Sequence, residues 1–551
     1  MLQVAIQQEP FDAVVVGSGA TGGWAAKKLT EAGMRVALLE AGAKTTEKDF
    51  SEHTQPWQLP YLGMSPKLAK DREIQSKCYA CTEHNSKWFV SDIENPYTQE
   101  KPFWWIRQRA LGGRSLSWGR QSYRMSDLDF KAASHDGYDV DWPVSYAEMV
   151  PYYEEVEKYV GISGRAENLP QLPDSIFMPP MEMTCGEEIL RDKVKAKYGR
   201  TVTIGRAAIL TRDHNGRKAC HYCGPCERGC ITYSYFSSPF TTIKDALATG
   251  RLTLITDAVA AKIAMKDGKA AGVEYFDRTT RAPRDVKAKV VILCASTLES
   301  TRLMLNSNIA NSSDALGRYL MDHIYQGGAS GTMPMVEAKP WAGPPRRPNG
   351  IYIPRFRNVT EKMTNGFIRG YGYQGGSQPG FNFGAKGFGA DYKEAVREGV
   401  YGISIGLWGE CLARKENRVE IDKSRTDAWG IPVLKVSMEW GDNEKKMWRD
   451  GVAQAGEMLE AAGAKDVRTA ADGRWSVPGF CIHEVGTARM GADAKSSVLN
   501  KWCQSWDVEN LFCTDGAAWV SIGCQNPTLT MMALTVRTCD YIVREYAKKA
   551  A

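Results

Sequence analysis

Residues 11–22 read Phe11-Asp-Ala-Val-Val-Val16-Gly17-Ser-Gly19-Ala-Thr-Gly22. The first six form a short valine-rich apolar run, the pattern of a parallel strand buried on both faces. The glycines that follow have the spacing of a dinucleotide fingerprint. Gly17 permits a tight turn, Gly19 lets the backbone approach a pyrophosphate, and Gly22 lets a helix over roughly residues 24–32 pack on the strand. A helix N-terminus so placed faces negative charge. A second strand, Arg35-Val-Ala-Leu-Leu-Glu40, ends in an acid positioned to accept hydrogen bonds from ribose hydroxyls and unsuited to a 2'-phosphate. A lone glycine triplet is a weak signal, whereas strand, glycines, helix, strand and acid in this order specify a dinucleotide. They do not separate FAD from NAD.

A second redox signal lies in Cys220-His-Tyr-Cys223-Gly-Pro-Cys226-Glu-Arg-Gly-Cys230. The Cys-x2-Cys-x2-Cys-x3-Cys spacing is that of iron–sulfur ligation. Structural zinc usually takes two pairs separated by a dozen or more residues, and thiols this close leave little chain to wrap one tetrahedral ion. Ile231 stands where the bacterial ferredoxin run has proline, so a 3Fe-4S cluster on three sulfurs and a 4Fe-4S cluster on four both stay open. Cys78 and Cys81 are a separate pair, read as structural thiols.

The chain has 551 residues, 43% of them hydrophobic, enough for a sizeable core and more than one domain. Its net charge of +6 comes from basic residues scattered along the sequence, which argues against nucleic acid as a partner. No run reaches the ~18–20 apolar residues of a membrane span, and no basic region precedes an apolar signal core at the amino terminus. The expectation is a chain without a transmembrane segment or export signal of its own. Fourteen cysteines in that setting fit reduced thiols and cluster ligation better than a disulfide framework.

Several separated motifs, in order, resemble the glucose-methanol-choline (GMC) oxidoreductases. They are the amino-terminal fingerprint, Leu111-Gly-Gly-Arg-Ser-Leu-Ser-Trp118, the stretch from Ala295 to Asn306, and the closing block from His483 to Arg537. The resemblance implies an α/β chain with an FAD-binding Rossmann-like domain and an interleaved α+β substrate domain built on an antiparallel sheet. The FAD-binding domain would take residues 1–45, 100–130, 200–325 and 476–551, and the substrate domain residues 46–99, 131–199 and 326–475. Cofactor contacts are implied at Gly17, Gly19, Gly22, Glu40, Gly113, Ser117, Val259, Asp515, Gly516, Asn526 and Thr528. Amide donors at the start of the terminal helix, with Pro527 in its first turn, could face the flavin and stabilise negative charge on the reduced ring.

The family's chemistry removes a hydroxyl proton while hydride leaves the same carbon for the flavin. His483, in Cys-Ile-His-Glu-Val-Gly, matches the family's catalytic histidine, and Asn526 matches its partner on the substrate hydroxyl. Asn526 could also cap the helix behind it. His323 could line the same cavity, pack in the core or bond Asp322. Residues 325–475 alternate in short runs such as Tyr401-Gly-Ile-Ser-Ile-Gly-Leu-Trp408, as antiparallel strands do, while Ser145 opens an amphipathic helix. Glycine- or proline-rich stretches at 167–180, 340–348 and 375–389 are expected to be loops.

Within the family, the cysteine run resembles the catalytic subunits of bacterial membrane-linked sugar dehydrogenases. Its form points to the glucoside 3-dehydrogenase kind, which oxidises a secondary ring hydroxyl. This implies a sugar or glycoside substrate, a small signal-bearing export or chaperone subunit, cytochrome c or another electron acceptor, and a periplasmic location; a cytoplasmic enzyme is the alternative. An oxygen-dependent sugar oxidase with structural cysteines and a non-catalytic flavin electron-transfer subunit remain as rival functions.

Overall fold

A computed structural model describes residues 9–339, 345–382 and 384–547. Strand β1 (Phe11–Val16) runs into helix α1 (Ala20–Glu31), and the chain returns as β2 (Val36–Leu39). An excursion of short turns then includes α2 (Tyr146–Val160). The chain rejoins the sheet as β3 (Leu252–Ile255) and a meander of β4 (Ala258–Lys266), β5 (Lys269–Asp277) and β6 (Pro283–Leu293), followed by α3 (Thr297–Ser307). The sheet order is β3-β2-β1-β6-β5-β4, with the late strand Leu511–Cys513 also on β6. Strand β6 is long enough to serve two neighbours. Its first half pairs antiparallel with β5, and its second half lies parallel to β1, placing Leu293 opposite Val16. Val14, Val15, Leu38 and Ile292 are fully buried, which explains the uninterrupted apolar runs.

Helix α1 begins four residues earlier than its sequence suggests. Gly19 is its N-cap, so Gly22 and Gly23 lie inside its first turns. A Cβ at Gly22 would stand 1.8 Å from the carbonyl oxygen of Gly17, and one at Gly17 would stand 2.3 Å from that of Cys294. The fingerprint therefore packs helix against turn and turn against β6.

The predicted helix at Ser145 is α2. Ser145 and Glu148 cap each other's backbone N–H groups, at 2.9 and 3.3 Å. Its buried stripe of Met149, Tyr153, Val156 and Val160 faces the terminal helix, and the Tyr153 hydroxyl meets Thr530 Oγ1 at 2.8 Å.

A second sheet comprises β7 (Gly328–Thr332), β8 (Ile351–Ile353), β9 (Tyr371–Gly380), β10 (Val400–Gly409) and β11 (Lys465–Thr469). Its order is β11-β7-β10-β9-β8, ending on the short pair Thr203–Ile204, and every pairing is antiparallel. Helix α4 (Asp442–Ala461) covers its back through Met447, Trp448 and Met458. The stretch 375–389, expected as a loop, instead contains the second half of β9 and the start of a helix, Gly389–Glu398. Its glycines serve close strand approach, since a Cβ at Gly375 would lie 2.1 Å from Ser404 O. The 167–180 stretch is irregular apart from the short strand Phe177–Met178. Of the 340–348 stretch, residues 340–344 fall outside the described residues. Helix α5 (Thr528–Tyr546) closes the chain and packs on α1 and α2.

Candidate active site

A cavity of about 940 Å³ runs between the two sheets. At one end it is walled by the turn between β1 and α1. Gly19 faces it openly, for a Cβ there would meet nothing within 4 Å, and Gly113 packs across from it, its own Cβ position 3.5 Å from Gly19 Cα. Glu40 ends β2 at this end. Its carboxylate accepts from the N–H of Ser18 at 3.2 Å and of Gly42 at 2.7 Å, and burial pushes its pKa up against those bonds. Ser18 Oγ accepts in turn from Gly112 N at 2.9 Å. Val259 lies beside Glu40, because Ala258 N donates to Glu40 O at 2.9 Å. Ser117, Asp515, Gly516, Asn526 and Thr528 line the rest, so every residue assigned to the cofactor except Gly22 borders the cavity. Gly22 acts from behind the turn. Asp515 caps a short turn by accepting from Ala517 N at 3.0 Å and is held by Ser300 Oγ.

The chemistry of this cradle fits FAD. An extended cleft carries an open glycine turn at a helix N-terminus and an acid at the second strand end. Arg107 Nε, Gln108 Oε1, Arg120 Nε and Glu484 Oε1 are buried on its wall without a partner in the protein, which is how a cavity built for a polar ligand looks.

At the far end stand His483 and Asn526. Asp322 fixes the loop that carries His483 by accepting three backbone N–H groups, from His323 at 2.9 Å, Gly479 at 2.9 Å and His483 at 3.1 Å. Burial, with Glu484 nearby, raises Asp322 to about 7. His323 lies outside the cavity wall, behind His483. Its Nε2 is 2.9 Å from Gly523 O, and its Nδ1 is 3.0 Å from His483 Nδ1.

These distances set the tautomers. A carbonyl oxygen only accepts, so His323 Nε2 carries the hydrogen and its Nδ1 is an acceptor. His483 Nδ1 then donates to it, leaving His483 Nε2 with a lone pair toward the cavity. Burial lowers the pKa of both rings, His323 to about 4, and His323 and Arg114 add to the effect at His483. A neutral imidazole with an outward lone pair can take a proton from a hydroxyl. Asn526 Nδ2 lies 3.5 Å from His483 Nε2, and its Oδ1 accepts from Gln374 Nε2 at 2.6 Å. Asn526 is not a cap: Pro527 occupies the N-cap position, and α5 starts at Thr528 with no side-chain cap bond. The amide is thus turned to the cavity with its donor side outward.

The cysteine loop backs onto the same cavity. Cys226, Cys220 and Cys230 share an apolar patch with Met181, Ala207, Ile209, Tyr235 and Trp118. Trp118 also lines the cavity, as does Arg120, whose guanidinium lies over the Tyr235 ring and beside Cys226. Burial pushes the Cys226 thiol up to about 11 while Arg120 draws it down. Among the described residues no three of the four cysteines bring their sulfurs within 4.8 Å of one another. A single tetrahedral ion holding thiolates at about 2.3 Å would need tighter grouping. Cys78 and Cys81 are buried free thiols in a patch with Leu68, Trp88 and Phe89, and Cys78 reaches the cavity wall.

Sequence reading did not reach the position of His323 behind His483, the Gln374 brace, or the aromatic group Tyr325, Trp408 and Phe480, whose rings meet at 4.8 and 6.1 Å on the cavity wall. These come from three distant segments, and no local pattern links them.

The family models for GMC oxidoreductases match residues 11–325 and 413–535. The chain is 30% identical to 2-methyl-1,2-propanediol dehydrogenase of Mycolicibacterium austroafricanum, over 97% of this chain and 96% of that protein. It is 27% identical to the fructose dehydrogenase large subunit of Gluconobacter japonicus, over 97% and 98%. A solved structure of Aspergillus oryzae formate oxidase superimposes with a TM-score of 0.63 at 16% identity, covering 98% of this chain and 99% of that one, a likeness of fold. The chain belongs to the GMC oxidoreductase family and is an oxidoreductase acting on CH–OH groups.

Proposed function

We propose that this protein is the catalytic subunit of an FAD-dependent dehydrogenase that oxidises a secondary hydroxyl of a sugar or glycoside, at C3 of the ring, to a ketone. The observation that carries the alcohol-oxidising part of this reading is the contact chain Gly523 O, His323, His483 Nδ1, which leaves His483 Nε2 as the acceptor nitrogen beside the Asn526 amide. His483 takes the hydroxyl proton at Nε2. Asn526 Nδ2 donates to the substrate oxygen, with Gln374 holding the amide in orientation. FAD, when bound, supplies the acceptor for the hydride leaving the same carbon. Tyr325, Trp408 and Phe480 offer flat apolar faces for a sugar ring, and Gln121, Gln326 and Asn349 offer polar atoms to its hydroxyls. Three or all four of Cys220, Cys223, Cys226 and Cys230 would hold an iron–sulfur cluster, which would supply one-electron transfer away from the cavity. Their position behind Trp118 and Arg120 supports that role. A small export subunit, a cytochrome-type acceptor and a periplasmic site of action complete the proposal; the likeness to a fructose dehydrogenase large subunit supports the presence of a further subunit.

A second reading, oxidation of a short aliphatic diol, is favoured by the identity to 2-methyl-1,2-propanediol dehydrogenase. One experiment decides. The protein is purified without air, its visible and paramagnetic resonance spectra are recorded, and glycosides, free sugars and 2-methyl-1,2-propanediol are added. Flavin bleaching by a glycoside followed by a reduced-cluster signal is expected. Bleaching by the diol alone would select the second reading, while bleaching with no iron and with peroxide formed in air would select an oxidase. No bleaching by any alcohol would leave a flavin electron-transfer subunit.

A further inference from the structure

Two imidazoles, His221 within the cysteine loop and His53 against it, take no part in that chemistry. His53 and His221 are 168 residues apart in sequence, yet their Nε2 atoms stand 3.0 Å apart, the rings tilted by 34°. Cys223 Sγ completes a group whose three donor atoms all lie within 4.8 Å of one another. A hydrogen bond between two neutral rings accounts for the short N···N distance but not for the thiol that converges on it. A tetrahedral ion with nitrogen at about 2.0–2.1 Å and sulfur at about 2.3 Å accounts for all three.

The outer ring nitrogens are arranged as ligands require. Glu52 Oε1 lies 3.7 Å from His53 Nδ1, and Thr232 Oγ1 lies 3.5 Å from His221 Nδ1. The Glu52 side chain is buried and fixed by Ile231 N, which donates to Oε1 at 2.8 Å. Glu52 stands behind the His53 ring just beyond direct hydrogen-bond reach and Thr232 behind the His221 ring at its limit, on the side where an acceptor for Nδ1–H would leave Nε2 free for a metal. Both histidines are exposed while Cys223 is buried. Cys223 also lies outside the apolar patch that gathers Cys220, Cys226 and Cys230.

We propose that His53, His221 and Cys223 form a separate site for one divalent transition metal ion of the zinc class, with its fourth position open to solvent. The cysteine run then divides, Cys223 serving the ion and Cys220, Cys226 and Cys230 a three-cysteine cluster. The ion site stands on its own geometry; the division rests on the iron–sulfur cluster proposed above.

The test uses Co2+ as the probe, added to anaerobically purified protein freed of loosely bound metal. One equivalent is expected to bind with a thiolate-to-cobalt charge-transfer band and tetrahedral ligand-field bands. His53→Ala and His221→Ala should each raise the cobalt dissociation constant at least tenfold, with flavin content and the cluster resonance signal unchanged. Cys223→Ser should lose the charge-transfer band and keep a three-iron signal. Absence of cobalt binding, or binding without the charge-transfer band, would overturn the site. A changed cluster signal or lost iron in His53→Ala would overturn it too, by making the imidazoles cluster ligands. Loss of the cluster in Cys223→Ser would overturn the division. If the wild type binds cobalt as described but shows no cluster signal, the ion site stands while the division and the cluster reading both fall.

Discussion

Replacing His323 tests the proton order behind His483. In His323→Ala the Nδ1–H of His483 loses its nitrogen acceptor in a buried site and keeps only the weak acceptor Cys481 Sγ, at 3.4 Å. A net hydrogen bond contributes about 0.5–1.5 kcal/mol, and a buried donor left unpaired costs about 1–3 kcal/mol. The ring can escape that cost by flipping or by moving its hydrogen to Nε2, and either removes the lone pair from the cavity. At about 1.4 kcal/mol per tenfold, the productive form falls by roughly ten- to a hundredfold. The rate of flavin reduction should fall by the same factor, less than the ~10²–10⁴-fold expected for removal of the base itself in His483→Ala.

The assay is anaerobic stopped-flow bleaching of the flavin at saturating substrate, between about pH 5 and 9. Burial holds His483 well below the ordinary imidazole value, so the wild-type rate should show no acid limb near pH ~6.5. In His323→Ala, water enters behind the ring and the depressing influence of His323 is gone. The pKa rises, and an acid limb should appear toward pH ~6.5. His323→Asn can place an amide oxygen near the lost Nδ1 and should recover most of the rate. An unchanged rate in His323→Ala with normal flavin content would refute the relay. Equal loss in a folded His323→Asn would show that ring volume, not the acceptor, is what matters.

Glu299 is opposed by burial yet held down to about 2 by Arg109, Arg302 and Arg107. A depressed carboxylate stabilises the fold above its ordinary pKa and loses that contribution as pH falls from about 4.5 toward 2. Glu299→Gln should flatten the acid limb of urea midpoint against pH, by up to about 3 kcal/mol. Gly22→Ala places a methyl where Gly17 O stands, so the purified protein should lose its flavin absorbance; full flavin content would contradict the packing described for the turn. Ser145→Ala removes the side chain that caps α2 and should cost about 1 kcal/mol in urea unfolding, without changing the rate of flavin bleaching.

What the sequence made legible is what the chain encodes locally. The turn from Val16 to Gly22 is legible because Gly17 and Gly22 each answer a close contact while Gly19 leaves the turn open to the cavity, and Glu40 because it ends the next strand of the same unit. The sheet in residues 325–475 showed in its alternation. Its glycine at 375 misled, since a glycine that admits a neighbouring strand and one that makes a turn look alike until the neighbour is known. The site divides the same way. His483 and Asn526 were found because they sit in recognisable motifs, but the property that makes His483 a competent base, its outward lone pair, belongs to a chain of atoms through His323 and Gly523 drawn from two other segments. The cysteine run was legible as a ligand set, whereas its neighbours were not: His53 precedes Cys223 by 170 positions, and only the fold brings the two together. Spacing along the chain can therefore name candidate donors. Which donors share one ion, and which nitrogen of a histidine keeps its lone pair, is decided by residues that local spacing never places side by side.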